Sequence, residues 1–121
     1  MKIVTNRKMA EADKVLAAFK KMAVANKIEG IVISVDLYSN GREQGYSLYI
    51  QDINKGIKNL YSICFSEYRR SDEIVIYVNE EIPPNIGITD KAYENAKFVG
   101  YRKYKEAAEY IYFAIVEAIK I

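Results

Sequence analysis

Along this chain the spacing of apolar residues changes twice, and each change marks a new kind of element. Met9, Ala12, Leu16, Phe19 and Ala23 recur every three to four positions, with Val15 and Met22 beside them. Lys8, Glu11, Lys14, Lys20 and Lys21 occupy the other faces, so the spacing predicts an amphipathic helix capped by Asn6 and ending at about Asn26. From Ile31 the period becomes two. Ile31, Ile33, Val35 and Leu37 point one way, while Val32, Ser34, Asp36 and Tyr38 point the other. Ser39-Asn40-Gly41 is a hairpin turn, since Asn and Gly tolerate positive φ. A second strand alternates Tyr46, Leu48 and Ile50 against Ser47, Tyr49 and Gln51, and Asn54-Lys55-Gly56 turns the chain again. A third strand runs from Ile57 or Lys58 to Glu67. Tyr68-Arg69-Arg70-Ser71 then leads into a fourth, Glu73 to Asn79. The expected fold is α+β, a single domain over 1–121. Its four-stranded antiparallel sheet is flanked by an N-terminal helix and a long C-terminal helix.

Between the fourth strand and the last helix lies Ile82-Pro83-Pro84-Asn85-Ile86-Gly87-Ile88-Thr89-Asp90. Consecutive prolines stiffen the backbone, and the three isoleucines anchor the segment to a core. Two readings stand side by side: an ordered connection, or one wall of a ligand pocket. Thr89 or Asp90 caps a short helical piece over Lys91 to Lys97, and Gly100 breaks the path before a helix from about Arg102 to Ile119. Twelve of the sixteen residues from Tyr104 to Ile119 are apolar. Tyr104, Ala108, Ile111, Ile115 and Ala118 form a core stripe, yet Tyr110 and Phe113 share the opposite face with Glu106, Glu109 and Glu117. A helix apolar on nearly every side needs a second packing partner, which points to a homo-oligomer through the C-terminal helix. The second face of the sheet carries Val32, Tyr38, Tyr49, Tyr77 and either Tyr61 or Leu60. Its tyrosines either send their hydroxyls to water or lie beneath a partner or ligand.

Composition narrows the chemistry. The net charge of +2 is too small to imply an electrostatic attraction to nucleic acid or membrane. There are eleven tyrosines and no histidine, which removes the commonest general base near neutral pH and histidine-based metal sites. Cys64, the single cysteine, lies in an apolar strand pattern and reads as a buried structural thiol. Met1-Lys2-Ile3-Val4 does not open a signal peptide, and the run from Tyr110 to Val116 is too short to span a bilayer. A reducing, cytoplasmic setting is expected.

Candidate binding residues cluster around the proline stretch. Arg102, at the start of the last helix, either grips a phosphate bidentately or pairs with Glu106 one turn on. Arg69 and Arg70 at one hairpin tip, and Arg42 beside another, are turn charges that in an oligomer can complete a neighbour's anion site. Asn85, Thr89 and Asp90 offer hydrogen-bond groups for a base or ribose, and Tyr77 or Phe65 a stacking face. There is no phosphate-cradling glycine motif, no metal-spaced carboxylate cluster and no placed acid–base pair. Binding without catalysis, metal or cofactor is the expected mode.

The order helix, four-strand meander, Pro83-Pro84-Asn85 loop and helix resembles the phage Thoeris anti-defence family of the first type. Those proteins are oligomeric sponges that sequester cyclic ADP-ribose signals made by bacterial TIR-domain defence enzymes. The resemblance covers nearly the whole chain as an order of elements, with Pro83-Pro84-Asn85 and Arg102 as its motif-like residues. It implies that Asn85 and Arg102 contact the ligand, with an aromatic residue stacked on adenine and further arginines across a subunit boundary. Tyr77, Phe65, Arg42 and Arg69 are the candidates for those last roles. It also implies action in the cytoplasm of an infected bacterium. Two other readings belong to different classes. The helix opening Tyr101-Arg102-Lys103-Tyr104-Lys105 is also similar to the last helix of double-stranded RNA-binding domains, although a fourth strand and the proline insertion depart from that pattern. The third is an oligomeric protein-binding inhibitor using the tyrosine-rich sheet face.

Overall fold

The computed structural model describes residues 7–26, 30–39, 43–68, 72–78 and 94–119. Helix α1 spans Arg7–Ala25 and is followed by β1 (Ile31–Ser39), β2 (Glu43–Asp52), β3 (Ile57–Tyr68), β4 (Glu73–Val78) and β5 (Lys97–Gly100). A 3-10 turn, Tyr101–Lys103, leads into α2, Tyr104–Ile119. The five strands form one antiparallel sheet in sequence order. The α+β class and the antiparallel meander agree with the sequence reading, but the sheet has five strands rather than four. Lys97, expected at the end of a short helix, instead begins β5. The reason is local alternation: Phe98 pairs with Val75 on one face and Val99 with Ile74 on the other. Four residues are too few to show that period above a helical one.

Both helices lie on the same face of the sheet. Ala12, Val15, Leu16 and Phe19 of α1 and Ala107, Ala108, Ile111 and Ile115 of α2 share one core with Leu48, Ile50, Ile63, Phe65, Ile74, Ile76 and Val99. Of the expected stripes, Ala12, Leu16 and Phe19 of α1 and Ala108, Ile111 and Ile115 of α2 are buried, whereas Ala23, Tyr104 and Ala118 are partly buried, Met9 lies outside the described side chains, and Ala107 joins the core unpredicted. Tyr61 pairs with Ile50 and packs against this helix-side core, which leaves it off the second face. The second face is not a solvated tyrosine surface. Tyr38 and Tyr77 are buried there with Cys64 and Val75, and Ala96 and Phe98 pack against them. Val32, by contrast, is exposed on that face.

Two glycines are set by geometry. Gly30 opens β1 at φ 77°, and its carbonyl accepts the Ile53 amide at 2.8 Å, joining the start of β1 to the β2–β3 turn. A Cβ on Gly45 would sit 2.6 Å from Ser66 Cα and closer still to the Phe65 carbonyl oxygen, so β2 and β3 approach there as only glycine allows. Among the described residues no helix is long and apolar enough to cross a membrane.

Candidate functional site

Of the residues predicted to bind ligand, Asn85, Thr89, Asp90, Arg42 and Arg69 lie outside the described residues. The other three are not brought together. Phe65 and Tyr77 sit on β3 and β4, where Cys64 faces Tyr77 and Phe65 faces Ile76. Their side chains therefore leave opposite faces of the sheet. Phe65 is fully buried beneath the helices, with its ring 5.7 Å from that of Tyr46. Tyr77 is 1% exposed in the second-face cluster. Neither ring presents a free surface, so both are corrected from stacking platforms to core aromatics.

Arg102 is placed differently. Gly100 pairs with Glu73 at the end of β5, and the Tyr101 amide donates to the Asp72 carbonyl at 3.1 Å. Tyr101 is buried, which pins the turn and leaves Arg102 and Lys103 exposed just before α2. The pairing with Glu106 does not form: Arg102 makes no ion pair among the described residues. A guanidinium with no ion pair among the described residues, exposed at the start of a 16-residue helix, can accept a phosphate or carboxylate. Its neighbours Lys103 and Lys105, both exposed, add to the positive potential there.

The structure also contains a polar network that sequence reasoning missed. Glu43, at the start of β2, is fully buried on the second face. Ser66 Oγ donates to its Oε2 at 2.9 Å, and Tyr77 Oη donates to its Oε1 at 2.8 Å. Burial pushes the Glu43 carboxyl above its ordinary range, and the two hydroxyls pull it partly back. The Tyr77 phenol is raised too, by burial first and then by the adjoining carboxylate. Next to it burial pushes the Cys64 thiol up to about 12, against a hydrogen bond with Ser47. A charged residue beside a turn gives no sign of burial in sequence. The only available signal was the period of two, which puts Glu43, Gly45 and Ser47 on one face with the small Ser66 diagonal to Glu43.

No family model, curated protein or solved structure matches this chain.

A second buried carboxyl lies on the helix side. Glu67 Oε1 accepts the Ala12 amide of α1, whereas Oε2 has no hydrogen-bond partner among the described residues. Burial raises its pKa to about 7, the Ala12 amide opposes the rise, and the charges of Glu11 and Asp13 add to it. Asp13 itself accepts a hydrogen bond from Tyr46 Oη. Both Glu43 and Glu67 are cut off from solvent, so neither is positioned to exchange a proton with a bound substrate. No group of three or more potential metal ligands occurs among the described residues. An apolar cleft of about 230 Å³ lies elsewhere, between Phe19 and Ala23 of α1, Ile31 and Ile33 of β1, and Tyr112 and Ile115 of α2. Its described lining has no charged side chain to pair with an ionic ligand.

Proposed function

We propose that the protein is a non-catalytic binder that sequesters a small cyclic nucleotide, in the manner of the Thoeris anti-defence sponges it resembles. The ligand class, a cyclic ADP-ribose isomer, follows from that resemblance, as do the cytoplasmic setting and the contact from Asn85. The observation that supports an anionic ligand is Arg102: exposed, next to buried Tyr101, and without an ion pair among the described residues although Glu106 lies one turn away. A guanidinium held at a helix start binds a phosphate through charge-assisted hydrogen bonds without any catalytic partner. With Phe65 and Tyr77 sealed in the core, the stacking role passes to neither of them.

The same reading has the protein as a homo-oligomer through α2. Phe113 is 59% exposed and Tyr110 39% exposed on the face that carries Glu106 and Glu109, and Lys97 Nζ lies 5.8 Å from the Tyr110 ring centre. This is the apolar outer face that calls for a partner.

Thermal-shift titration with cyclic ADP-ribose isomers tests the ligand class. A raised Tm in the parent protein, lost in both Asn85→Ala and Arg102→Ala, is the expected result. Ligand released by heat denaturation should be chemically intact by mass spectrometry. Converted ligand would make the protein an enzyme, and salt-sensitive binding to duplex RNA without a nucleotide response would favour the RNA-binding alternative. Light scattering of Phe113→Glu should show a smaller particle than the parent.

A further inference from the structure

Strand β1 is the outer strand of the sheet, and among the described residues it pairs with β2 alone. All nine of its residues are in continuous register with β2, from Ile31 opposite Asp52 to Ser39 opposite Gln44, with no bulge. Natural edge strands are blunted by lysine, proline, bulges or a covering element. β1 has no proline and no basic residue, its one charge is Asp36, and six of its nine residues are exposed, so no other described element covers it. Apolar side chains stand in the open along its helix-side face: Val35 is 38% exposed and Leu37 77% exposed. A long, regular and partly apolar edge is a template for another strand.

We infer that β1 pairs antiparallel with β1 of a second copy about a two-fold axis at Val35, extending two sheets into one. The strand's own sequence selects this partner and this register. Centring on Val35 uses all nine residues and sets Ile31 opposite Ser39, Val32 opposite Tyr38, Ile33 opposite Leu37 and Ser34 opposite Asp36. Every apolar helix-side residue except Ile31 then meets an apolar partner, and the Asp36 carboxylate meets a serine hydroxyl able to donate to it. Moving the axis to Asp36 would set two aspartates face to face, which is unfavourable. Moving it to Ser34 would leave Tyr38 and Ser39 beyond the paired stretch.

The apolar cleft supplies the second reason for a self-partner. Ile33 is one of its walls, together with Phe19, Ala23, Ile31, Tyr112 and Ile115. In the Val35-centred register, Leu37 of one copy lies beside Ile33 of the other, at the mouth of that cleft. The most exposed apolar side chain on β1 thereby gains an apolar surface to cover, twice by symmetry. This interface differs from the α2 face and does not depend on any ligand.

The strand axis predicts a disulfide that only this register allows. Residues opposite one another on the axis of an antiparallel pair have Cα atoms about 4.5–5.5 Å apart, within disulfide range. Cys64, the single native cysteine, is buried and does not compete. Val35→Cys should form a covalent dimer rapidly under mild oxidation. Leu37→Cys, though more exposed, should cross-link more slowly because it faces Ile33. In parallel, in a Phe113→Glu background that removes the α2 contact, sedimentation velocity should show Val35→Lys weakening dimerisation about tenfold or more, from like charges at the axis, with an unchanged circular dichroism spectrum. A parent protein that stays monomeric up to submillimolar concentration overturns the proposal. So does a dimer of Phe113→Glu, in which the α2 contact is removed, that adding Val35→Lys leaves intact, or faster cross-linking at position 37 than at 35.

Discussion

Replacing Glu67 with Gln should remove a defined part of the protein's pH-dependent stability. Glu67 is wholly buried between β3 and α1, near the carboxylates of Glu11 and Asp13, with one oxygen taking the Ala12 amide and the other without a hydrogen-bond partner among the described residues. Its folded pKa of about 7 stands above the ordinary 4.5 of the unfolded chain. Between those values the folded state holds a proton that the unfolded state has released, so stability falls as pH rises. The contribution is fully present below the unfolded value and lost as pH passes the folded one. The separation corresponds to about 3 kcal/mol, from about 1.4 kcal/mol per tenfold change in proton affinity. Gln keeps an oxygen for the Ala12 amide but never ionises. Its extra N–H₂ costs a pH-independent amount, so the slope rather than the absolute stability is the readout. Urea unfolding at about pH 5 and about pH 8 should show the parent losing up to about 3 kcal/mol more than Glu67→Gln across that range. Glu43 is shifted in the same direction, so the variant should retain a smaller slope of the same sign. Equal slopes in parent and variant would refute the reasoning, as would a parent whose stability is flat across the range.

Other expectations follow from the same geometry. Gly45→Ala should destabilise by about 1–3 kcal/mol in denaturant unfolding, because its Cβ meets backbone rather than a side chain able to swing away. Tyr77→Phe removes the 2.8 Å bond to Glu43 and should cost about 1–3 kcal/mol in the same assay, with the loss growing as pH rises, because the phenol's hydrogen bond favours the charged form of Glu43. Cys64 should resist thiol reagents in the folded protein and react on unfolding, since it is 4% exposed and its pKa is pushed up to about 12. Labelling at a rate independent of denaturant would contradict that burial.

Periodicity carried most of the architecture. A helix repeat over Ala12, Leu16 and Phe19 and strict alternation from Ile31 onward depend only on how side chains leave a helix or a strand, so α1 and β1–β4 were legible before any packing was known. The same rule identified the buried stripe of α2 and the exposed pair Tyr110 and Phe113. β5 escaped because its four residues take their identity from pairing with β4. The candidate site was much less legible. Spacing placed Arg102 at a helix start, but only the folded chain shows that it forms no ion pair with Glu106 and follows a residue, Tyr101, tied to the Asp72 carbonyl. Strand parity alone could have separated Phe65 from Tyr77 once their register was known, and only long-range pairing sets that register. Likewise, the burial of Glu43 and Glu67 is a tertiary outcome: charged strand-end residues look solvated until Tyr77, Ser66 and α1 close over them. Sequence by itself determined which elements form and which way their side chains point. Tertiary structure decided which side chains meet and which lose water, because contact and desolvation arise between residues far apart in the chain.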